Sequence, residues 1–424
     1  MFSSLSLRFA TVIMSALLVG GSVNAQEFPG QLVGFASLPA HATLPVPKNA
    51  PETFRLSGKY TTAGIVNSRI HSVEGRSKGR PTNAFVPTLG QSLQGISDMQ
   101  WIGDDAVWTL TDNGFGAKSN SADAMLYMTR IQLDWKRQQA SADKVLFLRD
   151  PLHRLEFPIA NPQDNPQRYL SGADLDPESF RIVGDRIWIG DEFGPYLVET
   201  DLKGNVQQLY PAELDGQRIC APDTQAAACD IVIKRSRGFE NMAVSGDGRY
   251  LYAMLEGALP NEAGALRIFQ FDIEQRRWTG ISWTLELTDT SLSVGAMTWL
   301  REGELLLIER DDLEGTADFP CATSDSLHCF AEPAKYKRLV RVSLQPDGSV
   351  QRKGYVDLLN LKDKGIVSDG TYSMPFWTIE AVTVVNCDWV LIANDNNFPF
   401  SASRHPNRQD PTEFALLNVG ELLR

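Results

Sequence analysis

The chain has 424 residues, 43% of them hydrophobic, enough to bury an ample core. Its formal net charge of −12 argues against nucleic acid or an anionic membrane as partner, because both reward basic surface. Cation binding is the more natural inference, although acidity also serves solubility. Zinc has no support, since His41, His71, His153, His328 and His405 are scattered and no Cys-x-x-Cys or Cys/His spacing occurs.

Residues 1–25 carry Arg8, an apolar run from Phe9 to Val19 and a Val23-Asn24-Ala25 end before Gln26, the pattern of a cleaved signal peptide. The apolar run is too short to span a bilayer, and no later segment approaches the needed length, so no membrane span is expected. No cysteine follows the small residues, which leaves a lipoprotein anchor unsupported. A periplasmic or secreted protein, cleaved near Ala25, is the expectation. Removing 25 residues from 424 leaves 399, a normal length for one β-propeller of six or seven blades.

Residues 26–89 are rich in Pro and small residues and contain a basic stretch from Gly75 to Arg80; they either complete a blade or wrap the outside. Residues 90–424 then follow as one domain of hairpins, without a helical period or a long linker. The first hairpin runs from Gly95 to Asp112 and turns at Gly103-Asp104-Asp105. The second, Pro177 to Asp191, carries acids at both ends, in Glu178 and Asp191. The third, Arg237 to Glu256, turns at Gly246-Asp247-Gly248 and has Glu240 and Glu256 at its ends. The fourth, Gly295 to Glu309, keeps only the terminal acid, whereas the fifth, Ile379 to Asp395, has Glu380 and Asp395. Alternating runs between them, such as those at Met125, Tyr196, Arg267 and Leu339, read as outer strands.

Antiparallel strands joined by a tight turn bring the start of the first beside the end of the second. Repeats spaced by roughly 50 to 85 residues in a chain of short strands point to radial blades, an all-β propeller. One mouth of its channel would then gather Glu178, Asp191, Glu240, Glu256, Glu309, Glu380 and Asp395.

Cys220 and Cys229 bracket one short loop and Cys321 and Cys329 another, which predicts two local disulfides. Cys387 lies in an apolar run and reads as a buried free thiol.

Carboxylates packed together repel unless a cation neutralises them. Calcium fits best, because it takes six to eight hard oxygen ligands and these strand ends offer carboxylates, Asn side chains and carbonyls; magnesium is the alternative where fewer ligands meet. The strongest cluster is Asn394-Asp395-Asn396-Asn397 with Glu380, followed by Asp191-Glu192, Glu240, Glu256 and Asp112-Asn113. The competing explanation is turn capping, which suits Asp and Asn and accounts for Asp104, Asp185 and Asp247. Glu is a poor turn former, so Glu178, Glu240 and Glu380 at one repeated position speak for a site. Arg237 and Arg310 fall at the same mouth, where each either pairs with a carboxylate or holds a phosphate.

Asp112-Asn113-Gly114, Asp176-Pro177-Glu178-Ser179 with Gly190-Asp191-Glu192-Phe193-Gly194-Pro195, Arg237-Gly238-Phe239-Glu240, Glu309-Arg310-Asp311, and Glu380 with Asn394-Asp395-Asn396-Asn397-Phe398 occur in this order. This series resembles that of the phytase-like family, "esterase-like activity of phytase", from about Gly90 to the end. The resemblance implies an exported bacterial β-propeller-like domain whose acidic residues carry phosphoesterase activity. The chain departs from an even ring of acids where Gly295-Ala296 lacks the leading Glu and Ser97 takes that place in the first hairpin. A run of Lys and Arg suited to a highly phosphorylated inositol is absent, which weighs against phytate itself. Gly-x-Ser-x-Gly is also absent, so serine-esterase chemistry is disfavoured.

The reading is therefore a calcium-dependent phosphoesterase acting on a small phosphorylated substrate. Asp112, Glu178, Asp191, Glu192, Glu240, Glu256, Glu380, Asn394 and Asp395 are its metal ligands, Glu240, Glu309 and Asp191 its catalytic groups, and Arg237 and Arg310 its phosphate contacts. Two rivals are a non-catalytic propeller stiffened by calcium and a lactonase-like propeller hydrolase.

Overall fold

A computed structural model describes residues 25–224, 229–322 and 327–424; the expected signal peptide, apart from Ala25, lies outside the described residues. Nearly every element is a strand, the exceptions being one short 3-10 turn, Glu52–Arg55, and one helical turn, Gly420–Leu423. Among the described residues no helix is long and apolar enough to cross a membrane.

Each hairpin read from the sequence is the inner half of four successive antiparallel strands. Blade 1 is built from Ile96–Gly103, Ala106–Thr111, Tyr127–Asp134 and Gln139–Phe147. Blade 2 follows with Pro177–Val183, Arg186–Asp191, Tyr196–Asp201 and Val206–Pro211. Blade 3 takes Phe239–Val244, Tyr250–Leu255, Ala265–Asp272 and Arg277–Glu286. Blade 4 takes Ser293–Arg301, Glu304–Arg310, Lys337–Leu344 and Val350–Asp357. Blade 5 takes Ile379–Val384, Trp389–Asn394 and Thr412–Asn418, and its outer strand, Gln31–Leu38, comes from the N-terminal end of the chain. Leu38 pairs with Thr412 and Leu32 with Leu417, so the ring closes through backbone hydrogen bonds between the two ends of the chain. Gln26–Glu27 adds a parallel fifth strand to blade 4, and a parallel contact of Gln139 with Ser37 joins blades 1 and 5.

The inner strands lie against one another in cyclic order, blade 1 to blade 5 and back to blade 1. The structure is thus a five-bladed propeller, not the six or seven blades expected from length. Length misleads because long connections absorb it: residues 39–94, 148–176, 212–238, 311–336 and 395–411 lie between blade strands.

Both faces of every blade are apolar, because each is covered by a neighbour. Trp188 of blade 2, for example, packs against Phe271 of blade 3 with ring centroids 5.4 Å apart. Leu306, Ile308, Ile379 and Val382 fill the joint between blades 4 and 5. Arg181 reaches from blade 2 to Asp98 of blade 1 and donates to the Met297 carbonyl of blade 4 at 2.7 Å, spanning the channel with a buried ion pair.

Of the N-terminal segment, Gln31–Leu38 completes blade 5, while residues 39–94 fold into short strand pairs, among them Val73–Ser77 with Arg80–Val86. The basic stretch anchors them: Arg80 donates to the carbonyls of Ala402 and Pro406 and pairs with buried Glu314. Both predicted disulfides, Cys220–Cys229 and Cys321–Cys329, are formed. Cys387 is exposed, not buried. Asn386 accepts from the amides of Asp388 and Trp389, so Cys387 occupies the hairpin turn of blade 5, outside the strand that the apolar run suggested.

Candidate functional site

The inner hairpins share one irregularity. In each blade the pairing slips by one residue near the start of the inner strand, at Ser97, Glu178, Glu240, Gly295 and Glu380. A β-bulge leaves its extra residue unpaired and re-aims the side chain. On the second strand, the residue that follows the pair beside the bulge is Asp112, Glu192, Glu256, Arg310 or Asp395; four of these lie beyond the ladder, and Arg310 still pairs with Ser293. Two equivalent positions from five blades therefore define one mouth of the channel.

These positions hold almost all of its charge. Carboxylate oxygens of Asp176, Glu178 and Glu192 lie within 4.8 Å of one another, and so do those of Glu192, Glu240 and Glu256, which makes Glu192 common to both groups. Glu192 is 5% exposed and its Oε1 has no partner among the described residues. A buried carboxylate oxygen with no donor is costly unless a cation takes its place. The cluster can hold a metal ion on that ground, and its all-oxygen donor set suits a hard divalent cation. Asp176, quoted only as part of a motif in the sequence, belongs to the cluster; Asn113 holds it, with Nδ2 donating to Asp176 Oδ2 at 2.8 Å.

Burial raises every carboxyl in this mouth for which a shift is resolved. Asp112 is pushed up to about 7 by burial and then by Asp176. Asp176 rises to about 6 despite the Asn113 hydrogen bond. Burial lifts Glu240 to about 7 against the pull of Arg310 and Arg237. Asp395 rises to about 8, Asp112 adding to the burial effect. Glu178, Glu192 and Glu380 stand well above the ordinary range, burial first and neighbouring carboxylates second. Such a group of acids stays protonated near neutrality unless positive charge enters.

Two arginines supply part of that charge. Arg237 pairs with Glu256 at the rim. Arg310 is buried, donates from Nη1 to Asp312 at 2.9 Å and approaches Glu380 at 3.5 Å, while its Nε has no partner among the described residues. Gly295 explains how Arg310 fits: a Cβ there would stand 2.7 Å from the Ile379 carbonyl oxygen and 3.2 Å from Arg310 Nε. The missing Glu of the fourth hairpin is thus the space that admits a cation. Gly238 is fixed as tightly, since its Cβ would meet the Glu192 carbonyl oxygen at 2.4 Å.

The structure brings together Asp112, Glu178, Glu192, Glu240, Glu256, Glu380, Asp395, Arg237 and Arg310. It keeps three other sequence candidates out of the mouth. Glu309 turns into blade 4, where Arg352 Nε donates to it at 2.9 Å and the Tyr336 hydroxyl at 3.1 Å. Asp191 accepts from the amides of Asp176 and Gly194 at 2.8 and 2.7 Å. Asn394 accepts from the Glu413 amide at 2.8 Å and donates to the Asp395 and Pro411 carbonyls. All three occupy the paired position beside the bulge, one residue before the mouth, and side chains alternate along a strand. The bulge that sets this register leaves no mark in hydrophobic patterning.

A family model described as "Phytase-like: Esterase-like activity of phytase" matches residues 91–398. An uncharacterized secreted protein of Arthroderma benhamiae is 29% identical over 123 residues, 23% of this chain and 24% of that protein, so the match spans about a quarter of that relative's length. Among solved structures, the calcium-binding protein regucalcin of Agrobacterium tumefaciens is 12% identical, with 77% of this chain and 92% of that one covered at a TM-score of 0.40. A periplasmic gluconolactonase of Pseudomonas aeruginosa is 10% identical, with 86% and 98% covered at a TM-score of 0.34.

Proposed function

The chain belongs to the phytase-like family, "esterase-like activity of phytase", and from that premise we propose that it is an exported, calcium-dependent phosphoesterase acting on a small phosphorylated substrate. The observation that carries the reading is the pair of carboxylate groups sharing Glu192, flanked by Arg237 and Arg310. Export accords with the signal peptide pattern, the two disulfides and the secreted relative.

The mouth divides into two halves. On the side of blades 2 and 3, Asp176, Glu178, Glu192, Glu240 and Glu256 would hold the cation. Bound there, calcium supplies charge neutralisation and polarises a phosphoryl oxygen and a water. On the opposite side, the Arg310 guanidinium, beside Glu380, supplies the positive charge that favours a phosphate, and Arg237 can turn to it from the rim. Asp395, protonated near neutrality, stands beside Arg310 as a proton donor. Water adds to phosphorus, the ester P–O bond breaks, and the leaving oxygen takes the Asp395 proton, giving an alcohol and phosphate. Glu240 joins the halves, since its carboxyl feels both Arg310 and Asp176. Asp191 and Glu309, already saturated by other partners, position backbone and blade.

The test is phosphate release by the purified mature protein from a panel of phosphoesters after chelation and after calcium is restored, with melting recorded on the same samples. Release is expected to vanish and return. A calcium-dependent rise in melting temperature without release from any ester would overturn the catalytic reading and leave a binding propeller.

A further inference from the structure

Arg237 and Glu256 of the carboxylate mouth also line a cleft of about 910 Å³ built from residues of blades 3 and 4 and the loops beside them. That volume is of the size that encloses a small organic molecule, and it exceeds what a phosphate alone requires. Much of its lining is apolar: Leu259, Leu266 and Leu292 are buried, and Leu287 and Leu313 are half-buried. The charges that line it are largely matched already. Arg237 pairs with Glu256, Asp312 with Arg310, and Asp311 with Lys337 at 3.0 Å, which leaves Lys234 as the remaining cation of the wall.

The cleft thus joins an arginine and a cation-binding carboxylate, enough for a single phosphate, to a lining of leucines. A ligand carrying several phosphates would set its second and third against apolar carbon and already-paired acids, with the exposed Lys234 as the one unmatched cation of the lining to meet them. An ester with one phosphate and an apolar organic group would match both features of this lining, the phosphate at Arg237 and the carbon skeleton along Leu259, Leu287, Leu292 and Leu313. We infer that this cleft is the leaving-group subsite and that the substrates are phosphoesters of apolar alcohols, alkyl or aryl, not inositol polyphosphates. The inference rests on the phosphoesterase reading above and deepens it.

Methyl, butyl and octyl phosphate, with inositol hexakisphosphate alongside, test it on the calcium-loaded mature protein. A rise in kcat/KM of at least about tenfold from methyl to octyl is expected from the apolar surface removed from water, with octyl phosphate outpacing the hexakisphosphate. Leu287→Asp, at the half-buried rim, is expected to flatten the rise, and so is Ala263→Glu, an exposed position that narrows the cleft without touching the core. A flat series in the unaltered protein, or a faster hexakisphosphate reaction, overturns the inference, and this comparison stands even where a variant does not fold. If no ester is hydrolysed, the phosphoesterase reading fails separately. Calorimetric titration with octyl phosphate against inorganic phosphate then reads the cleft: tighter octyl binding lost in Ala263→Glu supports it, and equal binding overturns it.

Discussion

The two ends of the same hairpins treat the same side chains in opposite ways. At the turn end, Asp247 is solvated, accepts from the Ser245 hydroxyl at 2.5 Å and the Arg249 amide at 3.1 Å, and is held below the ordinary carboxylate value first by Ser245 and then by Arg249. At the bulge end, Glu178, Glu192 and Glu380 are crowded out of water among other acids, and their carboxyls rise far above it. A turn supplies donors to its acid from adjacent backbone, whereas the mouth supplies other acids. Strand-end acids are structural where local donors satisfy them, and are candidates for function where burial leaves them short of positive charge.

The largest effect that would break this contrast is at Glu192. Glu192→Gln removes the carboxylate common to both groups; a loss of phosphate release of about 100-fold or more is expected, a size ordinary for removal of a charge-stabilising group, together with loss of the calcium-dependent rise in melting temperature. Arg310→Ala is expected to lower kcat/KM by at least about tenfold, as loss of one charge-assisted contact does, while the fold is retained; steady-state kinetics and circular dichroism check it. One residue earlier the outcome reverses. Glu309→Ala strands Arg352 within blade 4 and is expected to cost about 3 kcal/mol in denaturant unfolding, with calcium still raising the melting temperature.

The protonation of the mouth adds a pH signature. In metal-free protein the folded carboxyls of Asp112, Asp176, Glu240 and Asp395, at about 6 to 8, bind protons more tightly than they do in the unfolded chain. Their contribution to stability is therefore fully present below about pH 4 and is lost as pH rises through about 6 to 8. Melting temperature of the metal-free protein is expected to fall from pH 5 to pH 8, and added calcium to restore most at the upper end; a flat calorimetric profile would contradict the arrangement. The smallest effect lies at the other end of the hairpin, where Asp247→Asn is expected to leave melting within about 2 °C and phosphate release unchanged.

What the sequence determined by itself was the repeat: five hairpins, their turns, the acids and arginines at one end, and both disulfides follow from short-range pattern, because turn chemistry and strand alternation act over a few neighbouring residues. Tertiary structure decided the rest. Blade number depended on how much chain went into connections, which length cannot apportion, and on the strand Gln31–Leu38 crossing to Thr412–Asn418. Membership of the mouth depended on a one-residue slip in pairing, which admits Glu192, Arg310 and Asp395 and turns away Asp191, Glu309 and Asn394. A slip of one residue exchanges the two faces of a strand. Gly295 reads as a missing acid in the chain, and only the approach of Ile379, Glu380 and Arg310 around it reveals it as the space a cation needs.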